Sequence, residues 1–207
     1  MCIRDSFYLD NDPTICAEYH NDKHCVKMIL EYCQLLSTAH RILDGVETIG
    51  KSKTGRNVKR WVLDEKNVYG KIKLEEIVYS ATHVSHPSAV WVRQSVLNYR
   101  WLHDLLVALC KEYTFRYGKV HKCEQTCLIK VLSVPPLRSP YKPFTEPTPA
   151  MPDDVKVPGD SIASYRNYYI NNKTHLASWK KRFVPKWYTE GQLVKMVRIS
   201  EEIGDYV

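Results

Sequence analysis

Apolar residues recur at helical spacing from about Thr14 to Leu43, with Asp12-Pro13 in front of the run and Asp44-Gly45 behind it. Asp12 can accept from the first free N–H groups, Pro13 has no N–H to leave unsatisfied, and Gly45 suits a helix exit. This spacing predicts one long helix over about 14–43. Residues 46–60 are polar, carry Gly50 and Gly55, and read as a loop bearing Lys51, Lys53, Arg56, Lys59 and Arg60. A weaker helix is expected over 62–80. His86-Pro87 opens the clearest helix, about 87–114, with Trp91, Val96, Leu97, Trp101, Leu105, Leu106 and Leu109 inside it and Tyr117-Gly118 closing it. Between 133 and 160 stand eight prolines, which forbid a long helix or a central strand. That stretch predicts an extended arm anchored by Tyr141, Phe144 and Met151. A last helix is expected over about 161–181, with Pro185-Lys186-Trp187-Tyr188 and a tail over 189–207 after it.

The expected fold class is therefore mainly α: a single helical domain over 7–188, wrapped by the proline-rich extended arm, with a basic aromatic C-terminal helix. The opening Met1-Cys2-Ile3-Arg4-Asp5-Ser6 has no helix or strand period and directly precedes a strand-like Phe7-Tyr8-Leu9. It resembles translated sequencing-adapter read-through and is treated as a non-native scar of residues 1–6. Apolar residues make up 44% of the chain, which supplies a real core and excludes disorder throughout. No run of eighteen apolar residues occurs, so no membrane-spanning helix is expected.

Thirty Lys and Arg against twenty-three Asp and Glu give a net charge of +7, which favours a polyanionic partner. The seven cysteines contain no C-x-x-C pair, and Cys25 and Cys33 fall in an apolar helical pattern as small hydrophobes. A reducing, cytoplasmic setting is the natural expectation.

Candidate chemistry begins on the first long helix. At 100° per residue, His20, His24, Lys27, Glu31, Gln34, Thr38 and Arg41 lie within about 50° of one line, while Val26, Met28, Ile29, Leu30, Leu35, Leu36 and Ile42 take the flanks and back. A solvated face needs polarity but not this mixture of side chains. The stripe is therefore read as lining a catalytic cleft, with Lys27 and Glu31 partly buried. His20 and His24, four apart, could share a metal from one helix face, with Asp22, Glu31, His83 or His86 as a third ligand. They could equally serve as acid, base or hydrogen-bond partners, and the site is expected to need no metal. His20, His24 and part of the His83–His86 segment are expected to converge on one cleft.

The chain's end has a different character. Residues 161–188 contain Arg166, Lys173, Lys180, Lys181, Arg182 and Lys186 but no Asp or Glu, and among them lie Tyr165, Tyr168, Tyr169, Trp179, Phe183, Trp187 and Tyr188. Cations attract phosphates, and aromatic rings stack on exposed bases or wedge a duplex. His83-x-x-His86-Pro87 reads either as a helix cap or as a pair of donors to phosphate. Glu112 and Arg116, four apart, read as a structural pair.

Several short motifs point to one family. Asn11-Asp12-Pro13, Tyr19-His20-Asn21-Asp22-Lys23-His24, Lys27-Met28 and Leu36-Ser37-Thr38-Ala39-His40-Arg41 resemble a group of uncharacterised phage proteins. His86-Pro87, Arg93, Tyr99, Glu112, Arg116-Tyr117-Gly118 and Pro185-Lys186-Trp187-Tyr188 resemble the pyrimidine-dimer DNA glycosylases of the phage endonuclease V type. The resemblance covers roughly residues 7–120 and the Pro185–Tyr188 segment. It implies a compact helical domain that binds damaged double-stranded DNA and excises a base, with no cofactor. In that family the N-terminal amine attacks the sugar and a carboxylate supports it. Here the family's Glu falls near Asn21-Asp22, so Asp22 is the nearest carboxylate and Glu31 the reserve, while Lys23 or Lys27 could supply the amine. Arg41, Arg93 and Arg166 are the expected phosphate contacts, with His83, His86, Lys180, Arg182, Trp187 and Tyr188 completing the DNA surface. A nucleotide- or base-modifying enzyme, or a DNA-binding protein without activity, would use the same features.

Overall fold

The computed structural model describes residues 8–52 and 54–204, without the side chains of 202–204; the proposed scar, Phe7 and Lys53 lie outside the described residues. The fold is mainly α, with two small antiparallel hairpins beside the helices. In order come α1 (Pro13–Tyr19), α2 (Asp22–Asp44), β1 (Val46–Lys51), β2 (Asn57–Val62), β3 (Val68–Tyr69), β4 (Ile72–Lys73), α3 (Leu74–Ile77), α4 (Pro87–Val92), α5 (Val96–Tyr117), α6 (Leu128–Val131), α7 (Ser161–Asn172) and α8 (Lys186–Gly204). The core forms where α2 packs on α5, with α1 against α5 and α4 against α2. Met28, Ile29, Tyr32, Leu35 and Leu36 meet Leu102, Leu105, Leu106 and Leu109 there, all buried. Each such side chain contributes about 1.5–3 kcal/mol through removal from water.

The first expected helix is two. Asp12 caps α1 as expected, its carboxylate accepting from Thr14 N and Ile15 N. The chain then turns extended at His20 and Asn21, and Asn21 caps α2, its Oδ1 accepting from His24 N at 2.9 Å. Two carbonyls near the break face Arg116, which donates to Glu18 O and His20 O at 2.9 Å each. A guanidinium from another helix thus satisfies acceptors at the break, and the Asn-Asp pair inside the periodic run supplies the cap.

The other differences also follow from short-range chemistry. Residues 46–62 form a hairpin and not a loop, with Val46 opposite Val62 and Gly55 in its turn at φ 79°. The expected helix over 62–80 reduces to a two-residue hairpin and the single turn of α3. The helix that begins at Pro87 stops at Val92 and restarts under Ser95, whose Oγ accepts from Leu97 N and donates to Lys142 O. It closes at Gly118, as expected, in the left-handed conformation at φ 65°.

No helix or strand occupies residues 138–152, and their backbone is held by side chains of α4 and α5. Trp91 Nε1 donates to Thr145 O at 2.7 Å, and Asn98 Oδ1 accepts from Thr145 N at 3.0 Å. The last expected helix ends at Asn172, and the expected tail is mostly the helix α8. Among the described residues, no helix is long and apolar enough to cross a membrane.

Candidate functional site

The polar stripe divides along its length. At its start, His20 is fully buried as the residue after α1. Its Nδ1–H donates to Cys16 O at 2.7 Å, leaving Nε2 to accept from the Tyr32 hydroxyl at 3.1 Å. His24, also buried, is hydrogen-bonded through Nδ1 to the Tyr169 hydroxyl at 2.6 Å. Burial holds both imidazoles neutral, pushing His20 down to about 4 and His24 down to about 2; the charges of Lys173 and Lys27 add to the effect at His24. Among the described residues, no group of three His, Cys, Asp or Glu gathers as a metal site.

Asp22 is a tether. Its carboxylate accepts from Arg116 Nη1 at 3.0 Å, from Ser178 Oγ, and from Lys180 N at 2.9 and 3.1 Å. Arg116, wholly buried, also donates to Glu112 at 2.7 Å, and Glu112 in turn accepts from Arg182. Two guanidiniums hold the Glu112 carboxyl below the usual carboxylate range even though burial alone would raise it. This network ties α1, α2, α5 and residues 178–182 together. The structural reading of the Glu112–Arg116 pair stands, and the pair does more than support one helix.

About one helical turn further along α2 the polar groups open outward. Lys27 Nζ lies 3.0 Å from Glu31 Oε1; the carboxylate side chain is only 6% exposed while that of Lys27 is 49% exposed. Glu31 thus meets the expectation of burial and Lys27 does not. Both line a cleft of about 600 Å³ with Gln34, Tyr79, His121 and Cys123. That volume lies within the range of small-ligand pockets. Cys123 is held in place by hydrogen bonds: its N donates to His121 Nδ1 at 3.2 Å, and the Tyr79 hydroxyl lies 3.7 Å from its Sγ. Hydrogen bonds from Cys33 and Tyr79, and the proximity of His121, bring its thiol down to about 6 against the opposing effect of burial.

The far end of the stripe is structural again. Thr38 exchanges hydrogen bonds with Thr82, and Arg41 donates to Tyr79 O, Trp61 O, Glu75 and Val78 O. Thr38 stands about 21 Å along the helix from His24. The His83–His86 segment therefore joins α2 at the opposite end from His20 and His24, and the expected convergence does not occur. His83 Nδ1 is hydrogen-bonded to Thr82 Oγ1, and His86 caps α4 by accepting from Ser88 N.

The other expected phosphate contacts vary in how far the fold occupies them. Arg93 donates to Val84 O and Ala89 O. Arg166 donates to Leu9 O and Asp10 and packs against the Tyr19 and Trp187 rings. Trp187 is half-buried and Tyr188 buried, the latter ring inclined at 59° to that of Trp179 with centroids 5.0 Å apart. Arg182 is paired with Glu112 and Glu18, whereas Lys180, Lys181 and Lys186 are exposed. Phe183, between these lysines, is 98% exposed. Lys180 Nζ lies 5.2 Å from the Tyr117 ring, and rings at 5.0 and 5.2 Å then lead through Tyr113 to His121 at the cleft.

The spacing on α2 found Lys27 and Glu31 but not the far wall of the cleft. Tyr79, His121 and Cys123 come from chain segments whose approach no local period encodes. Only the His121-x-Cys123 pairing could have drawn notice. No family model matches the chain, and neither do any curated protein or solved structure.

Proposed function

We propose that this protein is a DNA-binding repair enzyme that excises a damaged pyrimidine base, a glycosylase with lyase activity, working from the cleft between α2 and the His121–Cys123 segment. The observation that carries this reading is the Lys27–Glu31 pair: an amine 3.0 Å from a buried carboxylate, on a cleft of about 600 Å³. The two groups have the types that amine-based excision requires. Lys27 attacks C1′ of the deoxyribose, the C1′–N1 bond breaks, and the base leaves with the electron pair. Loss of the amine proton and opening of the sugar ring give a Schiff base. Free in water, Lys27 is the ammonium partner of an ion pair. When DNA covers the cleft, desolvation disfavours both charges and Glu31 is placed to take the proton.

The exposed cations support the polyanionic partner. Lys180, Lys181 and Lys186 flank the bare Phe183 ring, and the Lys180 end is tied to Asp22, about one turn from the cleft. The β1–β2 hairpin adds exposed Lys51, Arg56, Lys59 and Arg60, the composition of a ribbon that follows a phosphate backbone. In this reading the stretch over 133–160 is an arm strapped across one helical domain. Asp22 acts as a positioning residue that holds the basic segment beside α2.

The test is borohydride trapping on a labelled duplex containing a thymine dimer, with EDTA present. Wild type should give a covalent protein–DNA adduct and strand cleavage, and Lys27→Ala should give neither while still binding the duplex. Salt-sensitive binding without any adduct from wild type would overturn the enzymatic reading. An undiminished adduct from Lys27→Ala would move the nucleophile elsewhere.

A further inference from the structure

We propose that two copies of this chain join through the outer face of α8, packed antiparallel as a two-fold symmetric dimer. The first turns of α8 are anchored to the rest of the fold. Tyr188 is buried, Gly191 lets the backbone approach the Ile170 side chain of α7, and Gln192 Nε2 donates to Ile170 O at 2.8 Å. Beyond Gly191 the helix is inverted relative to an ordinary surface helix. Lys195 and Arg198 line the groove shared with α7. On the opposite side, at 100° per residue, Leu193, Met196 and Val197 lie within about 60° of one line, with Val194 and Ile199 on its flanks. These five apolar side chains are 46–64% exposed. Single apolar residues are common on a surface, but five within seven positions of one helix mark a contact face.

The charges of α8 select what covers that face. Lys186, Lys195 and Arg198 balance Glu190, Glu201 and Glu202, so the helix is neutral in a chain of net charge +7. An anionic lipid surface or a nucleic acid would be met by cations around the apolar stripe. Here the edge of the stripe carries Glu190 and Glu201, both exposed. A second copy of the same helix is complementary instead. Lys186 and Glu201 lie on one edge, about 60° apart around the helix and about 22 Å apart along it. In an antiparallel pair centred between Leu193 and Val194, each Lys186 faces Glu201 of the other copy, and symmetry makes this contact twice. Glu190 then falls opposite Val197 and not opposite another acid. Leu193, at the middle of the stripe, meets its counterpart at the centre of the contact.

The test is sedimentation of the full chain. Wild type should form a dimer at about 50 µM, as a contact of micromolar Kd requires. Leu193→Glu should weaken association by about a hundredfold, because it buries two carboxylates face to face. Lys186→Glu should weaken it by about tenfold, and adding Glu201→Lys to that variant should restore it. All three side chains are exposed in the single chain, so urea unfolding of the monomeric variants should match wild type measured at a concentration where it too is monomeric. A wild type that stays monomeric at about 50 µM would overturn the proposal. So would a dimer indifferent to Leu193→Glu, or monomers that bind vesicles of phosphatidylcholine and phosphatidylglycerol through this face. Failure of the doubly reversed variant to recover would overturn the antiparallel register.

Discussion

Two stretches of the polar stripe predicted from the sequence behave oppositely. Around His20, Asp22 and His24 the polar atoms are turned inward, to Cys16 O, Tyr32, Tyr169, Arg116 and the backbone of Lys180. About one turn on, Lys27, Glu31 and Gln34 look into an open cleft. The sequence period is the same in both places, and what differs is the depth of the elements packed over them. Polar side chains on a face covered by α5, α7 and the Ser178–Lys180 segment must be satisfied by protein groups. Those facing the cleft retain their capacity for a ligand. Two neighbouring histidines, usually the first suspects for chemistry, are here hydrogen-bonded pieces of the core.

The largest effect that sharpens this contrast comes from Arg116. Arg116→Met should destabilise the protein by about 3–5 kcal/mol, because it leaves the Glu112 carboxylate and the Glu18 and His20 carbonyls short of a buried donor. Lys27→Met, at the edge of the cleft, breaks an ion pair whose cation is half-exposed and should cost under about 1 kcal/mol. Urea unfolding at pH 7 measures both. Equal losses would mean that the two stretches are not distinct in kind.

Acid probes the same boundary more gently. The buried His20, His24 and His40 have folded pKa values of about 4, 2 and 4, below the value near 6.5 of an unfolded chain. Between those limits the unfolded chain binds more protons, so stability is full above about pH 6.5 and falls as the pH drops towards 4. Each neutral imidazole costs about 2 kcal/mol at pH 5. His24→Gln keeps a partner for Tyr169 without titrating. Its stability should drop between pH 7 and pH 5 by about 2 kcal/mol less than that of wild type. A parallel drop in the two proteins would place the His24 ring in water.

How much of this was legible in the sequence follows from what local chemistry encodes. Asp12, Pro13, Gly45, Pro87 and Gly118 marked element ends correctly, since a cap acts within a few residues. The interruptions at Asn21 and Ser95 were signalled by the same residue types but lay inside strong apolar periods, which read as continuous helix. The hairpin over 46–62 escaped because its strands are largely exposed, so it has little apolar alternation to show. For the site, the period on α2 brought out Lys27 and Glu31. It could not tell them from His20 and His24, because coverage by Arg116, Tyr169 and Ser178 is a property of distant segments.

The smallest effect on stability should be the most informative about binding. Phe183 has 98% of its surface in water and lies among exposed lysines, with the ring contributing almost nothing to the core. Phe183→Ala should therefore change unfolding free energy by less than about 0.5 kcal/mol. If the ring stacks on an unpaired or extruded base, its loss should weaken binding to a damaged or mismatched duplex by about tenfold, within the range of one base–aromatic stack. The salt dependence should stay unchanged, because no phosphate contact is removed. Lys180→Ala should do the reverse, lowering the slope of affinity against salt while reducing binding to intact and damaged duplex alike. Fluorescence anisotropy at three salt concentrations separates the two. Should Phe183→Ala weaken intact and damaged duplexes equally, the ring would be a general contact and the discrimination would have to arise at the cleft.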